Sequence, residues 1–148
     1  MTFSRLPAPC GILCRSCRHR NEGCAGCHAG GGEATCAIRT CAQQQNLQGC
    51  WQCGQLPCDK LLTSDPAWRG LTIGLCQCIA AMGPDRYADE ALATIGEYAE
   101  YGELRFLTPE QVRDLIRSHQ PTPKSYRPCS WQPTGVNIIP SIYGFSIP

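Results

Sequence analysis

Long apolar runs are missing from this chain. No stretch approaches the ~20 apolar residues that a membrane-crossing helix needs, so no membrane-spanning segment is expected. The lead from Met1 to Pro9 holds one Arg and no apolar run, so no secretory leader is expected there. Charge of either sign is sparse: 13 Lys and Arg face 12 Asp and Glu, and the formal net charge of +1 lacks the basic excess by which a protein holds a phosphate backbone. Histidine occurs only as His19, His28 and His119. No Ser-His-Asp, Cys-His or paired-carboxylate arrangement stands at a readable spacing, so the sequence names no catalytic constellation and leans away from an enzyme. Alternating strand and helix patterns are absent too, which excludes barrel enzymes from 148 residues.

Cysteine is what the chain has in excess. Ten of the 13 lie in the 49 residues from Cys10 to Cys58: Cys10, Cys14, Cys17, Cys24, Cys27, Cys36, Cys41, Cys50, Cys53 and Cys58. Large apolar residues are few in that stretch: Ile12, Leu13, Ile38, Leu47, Trp51 and Leu56. So little carbon does not offset the entropy of ordering the backbone, and a staple is needed. An odd cysteine count does not pair completely into disulfides within one chain, and the expected compartment is the reducing cytoplasm.

Three pairs form C-x-x-C steps: Cys14 with Cys17, Cys24 with Cys27, and Cys50 with Cys53. Two intervening residues let a tight turn aim both sulfurs at one ion, and zinc takes four such ligands in a tetrahedron. All ten cysteines are therefore candidate metal ligands. Two zinc ions in four-thiolate sites are expected, one among Cys10 to Cys27 and one among Cys36 to Cys58, which leaves two thiols either spare or shared with a third ion. Iron–sulfur clusters take the same ligands and stand as the alternative, in electron transfer or as an accessory to a redox enzyme. The C-x-x-x-C-x-x-C of Cys10, Cys14 and Cys17 matches the spacing at radical S-adenosylmethionine clusters, but the barrel those enzymes require is not encoded here.

Eight thiolates (−8) around two divalent ions (+4) take the formal charge of +1 to −3. Nucleic acid is thus not the expected partner; another protein is. Arg15, Arg18, His19 and Arg20 lack interleaved aromatics for base stacking, and read as cations offsetting thiolate charge. His28 follows a cysteine where thiols are in surplus and reads as a neighbour of the site rather than a ligand. Gly30 to Gly32 reads as a loop, since no strand precedes it as a phosphate cradle requires.

The run Cys10-Gly11-Ile12-Leu13-Cys14-Arg15-Ser16-Cys17, then Cys24-Ala25-Gly26-Cys27, Cys36 to Ala42, Cys50 to Cys53 and Leu56-Pro57-Cys58-Asp59-Lys60-Leu61 resembles an uncharacterised prokaryotic cysteine-rich family, a domain of unknown function. The resemblance spans roughly residues 10–62, with Ile12 where Leu is usual. It implies metal binding and no reaction.

The expected architecture is a small metal-stabilised cysteine-rich module of knuckle-like turns and short helices over 1–62, a helical segment over 63–120, and a proline-rich extended tail over 121–148; mainly α and coil, with little sheet. Cys36 to Ala42 predicts a short helix, and Pro57 the first position of another. Leu71 to Met82, apolar on most sides, predicts a buried helix in which Cys76 and Cys78 are core residues. Pro84 to Gly102 predicts an amphipathic helix with Tyr87, Ala91, Ile95, Tyr98 and Ala99 on its apolar stripe. Thr108-Pro109-Glu110-Gln111 reads as a capping box opening a last helix, which pairs with the one before it as a hairpin and buries Val112, Leu115 and Ile116. Cys129, in the tail, reads as an unneeded thiol.

Overall fold

A computed structural model describes residues 5–117; the tail with Cys129 lies outside the described residues. Helices and coil make up the fold, and the described residues contain no strand, only one parallel bridge between Cys17 and Ala99. The described residues form five α-helices in order: α1 Ala37–Gln44, α2 Asp59–Leu62, α3 Pro66–Met82, α4 Pro84–Ile95 and α5 Pro109–Arg117. Single 3-10 turns at Arg18–Glu22, Cys27–Ala29, Cys50–Gln52 and Tyr101–Leu104 fill the connections. No helix of the described residues is long and apolar enough to cross a membrane.

The centre is α3. It starts five residues earlier than its apolar pattern suggests, because Asp65 caps it by accepting from the Ala67 N–H at 2.9 Å and Pro66 takes the first turn. Leu71, Leu75, Cys76, Cys78 and Ile79 are buried along it, as a helix apolar on most sides demands. Gly70 and Gly74, one turn apart, let α5 and the chain leading into it come close: a Cβ at Gly70 would sit 1.9 Å from the Leu107 carbonyl oxygen, and one at Gly74 would sit 2.6 Å from Val112 Cβ. The predicted capping box is present in full, with Gln111 N–H donating to Thr108 Oγ1 at 3.2 Å and Thr108 N–H donating to Gln111 Oε1 at 2.9 Å. Helix α5 touches α4 as expected but packs most extensively on α3.

Two expected boundaries move. Helix α4 ends at Ile95 rather than Gly102: Gly96 closes it with φ 91°, and the chain turns so that the Ala99 N–H donates to the Ser16 carbonyl. Tyr98 therefore leaves the apolar stripe and is 59% exposed, while Ala99 is buried against the first cysteine loop instead of on a helix face. Pro57 stands outside α2, because Cys58 is the N-cap and its carbonyl accepts the N–H groups of Leu61 and Leu62.

One hydrophobic cluster runs through the described chain. It joins Leu13 and Trp51 of the cysteine-rich stretch to Leu71, Leu75 and Ile79 of α3, Tyr87, Ala88 and Ala91 of α4, and Val112, Leu115 and Ile116 of α5. The N-terminal third thus has an anchorage in carbon that its own composition does not reveal.

Candidate metal centre

Local turn chemistry places the thiols. After Cys10, Gly11 takes φ 90° with α3 so close that a Cβ would meet Leu75 Cβ at 2.7 Å. The loop from Gly11 to Ser16 is then held from the helical half by two buried phenols. Tyr87 donates to the Gly11 carbonyl at 2.8 Å. Tyr101 accepts from the Leu13 N–H at 3.2 Å and shares a 2.9 Å hydrogen bond with the Ser16 hydroxyl. Burial raises the pKa of both tyrosines.

All ten predicted ligands are half-buried, and none is in a disulfide. Cys14 and Cys27, from different knuckles, share a hydrogen bond; it lowers the Cys14 thiol to about 6 against the effect of burial, and raises that of Cys27. The pair therefore keeps one proton between them. Cys10 and Cys36 are near enough that a negative charge on either opposes a Cys27 thiolate. Burial, then the nearby Cys36 and Cys14, push Cys10 up to about 12 against local backbone donors. Cys36 gets there as the N-cap of α1, where its sulfur accepts from the Arg39 N–H at 3.5 Å. Arg39 also donates to the carbonyls of Gly31 at 2.6 Å, Glu33 at 2.8 Å and Ala34 at 3.0 Å, which ties α1 to the glycine loop. That loop wraps sulfur closely: a Cβ at Gly32 would stand 3.3 Å from Cys27 Sγ, and one at Gly31 would stand 3.0 Å from Cys24 Sγ.

A second gathering surrounds a cavity of about 230 Å³ lined by Cys41, Cys50, Cys53 and Cys58, with Leu47, Leu56, Leu61 and Lys60. Lys60 Nζ lies 3.4 Å and Gln45 Nε2 3.3 Å from Cys41 Sγ, so both donate toward it. Cys50 also reaches the core, where its thiol is hydrogen-bonded with that of Cys76 on α3. Cys76 and Cys78 are fully buried, in keeping with a core role, but the contact of Cys76 with Cys50 has no counterpart in the spacing. Cys17 lies beside Cys14, Cys24 and Glu100.

Cys36 is thus near Cys10 and Cys27, while Cys41 lines the cavity. His28 stands at the edge, bonded to the Pro7 carbonyl at 2.8 Å and close enough to Cys14 to favour its thiolate. Arg20 donates to the Arg15 carbonyl, lies 3.6 Å from Glu97 and covers the Tyr98 ring at 4.8 Å. Among the described residues no group of three or more His, Cys, Asp or Glu side chains is already drawn together closely enough to hold an ion. The donors themselves are soft thiols, a set that suits zinc or iron–sulfur clusters and not the hard cations calcium and magnesium.

Residues 19–63 match the family described as "Protein of unknown function (DUF3795)". The match covers under a third of the chain, from just before Cys24 to just after α2, and omits Cys10, Cys14 and Cys17. The resemblance to a family of unknown function is thus supported over that part. No curated protein and no solved structure matches the chain.

Proposed function

We propose that this is a metal-binding protein in which thiolate-held zinc, two ions per chain, stabilises the cysteine-rich stretch. The observation that carries the reading is the set of free, half-buried cysteines from separate turns, with Cys14 beside Cys27, Cys10 and Cys36 in their neighbourhood, and Cys41, Cys50, Cys53 and Cys58 lining one cavity. Four sulfurs without a disulfide make a poor core and a good zinc shell. When bound, zinc supplies folding free energy, roughly 10–16 kcal/mol in small zinc-finger peptides. Four thiolates leave no open position for a substrate, so the function that follows is that of a folded module for contact with another protein, in a compartment that keeps thiols reduced.

The chain purified without air should carry zinc in stoichiometric amount and be colourless. A brown preparation with visible absorption would assign the same thiols to iron–sulfur clusters instead. Protein that is free of metal, reduced and still compact would end the metal reading altogether.

A further inference from the structure

The cavity lined by cysteines brings more than sulfur together. We infer that Lys60 and Gln45 are positioning residues for metal bound there: both donate to the sulfur of Cys41, offset its negative charge and hold it as a ligand. The inference rests on the thiolate-metal reading above and deepens it by naming residues that act on the ion without touching it.

Cys41 lies on α1 and Gln45 is the C-cap of that helix, so one turn stacks the amide over the sulfur. The Gln45 N–H closes the turn on the Cys41 carbonyl at 3.2 Å, and its Nε2 donates to Cys41 Sγ at 3.3 Å. Lys60 arrives from α2, 19 positions away, with Nζ 3.4 Å from the same sulfur. Its neighbour Leu61 is buried and anchors α2 beside the cavity. Donors from two elements thus converge on one of the thiols that line the space. A neutral thiol is a weak acceptor, whereas an ionised sulfur gains much more from a charged donor. Four thiolates around one divalent ion carry two more negative than positive charges, and the apolar wall of Leu47, Leu56 and Leu61 makes that excess costly. Asp59, which also lines the cavity, has the same sign as the excess; Lys60 opposes it at the sulfur itself. The arginines near the earlier knuckles are used differently, since the guanidinium groups of Arg39 and Arg20 donate to backbone carbonyls.

The test uses the full chain prepared without air, with two readouts: zinc affinity by competition with a chelating dye, and the sulfur-to-cobalt charge-transfer band of the cobalt-loaded chain. Lys60→Met keeps the apolar stem and removes the charge and the donor. It should weaken one bound ion about tenfold, the low end of the roughly 10–100-fold usual for such outer partners, because Lys60 is exposed. The band should move to longer wavelength, because a sulfur without its donor gives up electron density more readily. Gln45→Met should move the band in the same direction. Lys60→Arg retains both charge and donors and should bring affinity and band back toward those of the natural chain. Unchanged affinity and band in Lys60→Met would overturn the proposal. So would a weaker affinity with an unmoved band, which would mean that Lys60 only braces α2 against α1, or a Lys60→Arg chain as impaired as Lys60→Met. A natural chain that takes up neither zinc nor cobalt would overturn the metal reading and this proposal with it, whereas a metal-loaded natural chain beside an unaffected Lys60→Met would overturn this proposal alone.

Discussion

At the scale of single residues, the least expected feature is that tyrosines from the helical half organise the first cysteine loop. Tyr87 was legible as an apolar-face residue, but its bond to Gly11 spans 76 positions, and that of Tyr101 to Leu13 spans 88. No local pattern announces a bond of that range, since it depends on where the helices fold back. Tyr101→Phe keeps the ring but leaves the buried Leu13 N–H without its acceptor, which should cost about 1–3 kcal/mol in urea unfolding followed by helicity. The same phenols set an alkaline limit. Their folded pKa values lie above the ordinary 10.0, so the stabilisation is complete below that pH and is lost as pH rises beyond it. The Tyr101→Phe chain, with one fewer such group, should lose stability less steeply between pH 9 and pH 11, limits chosen about a unit either side of the ordinary tyrosine value. An equal slope in the two proteins would show that Tyr101 is not held protonated by the fold.

At the scale of elements, caps were readable and helix lengths less so. Thr108 with Gln111 is a local motif whose partners are three residues apart, and it stands as predicted. Asp65-Pro66 is an equally local start signal, yet it lies ahead of the apolar run that marks α3, so a reading keyed to hydrophobicity begins the helix too late. The early end of α4 has another cause: Gly96 permits the turn, but the pull comes from Ser16, far away in sequence. Contact between α3 and α5 depends on two missing side chains. Gly70→Ala and Gly74→Ala should each destabilise by about 1–3 kcal/mol through overpacking, since backbone or a buried valine stands in the way. Ala80→Leu, on an exposed position of the same helix, should stay within about 0.5 kcal/mol. Thermal melts of the three variants compare them directly, and equal melts would mean that α5 does not seat on the glycines.

At the scale of the whole molecule, the cysteine-rich stretch and the helices share their core. Leu13 is fully buried in the same cluster as Leu75 and Val112, although it sits between two predicted metal ligands. Leu13→Ala should therefore cost about 2–5 kcal/mol and lower the melting midpoint of the helical signal, not merely loosen the knuckles. A helical melt indistinguishable from the natural chain would mean that the two halves fold independently. The shared core also changes what metal removal should do: chelation takes away the sulfur staples, while Leu13 and Trp51 remain drawn to α3. Residues 10–58 should then lose protection of their thiols before the helices from α3 to α5 lose their amide protection.

What the amino-acid order determined alone is local: the knuckle turns, the buried helix, the capping box, and the set of thiols fit for a soft metal. These follow from spacings of a few residues, over which the backbone has few choices. Tertiary structure alone decided that Cys14 lies beside Cys27, that Cys76 meets Cys50, and that Leu13 and Trp51 enter a common core with α3. Such meetings depend on how helices pack and loops close over tens of residues, and a glycine that admits a neighbouring backbone reads, in sequence, like any other glycine.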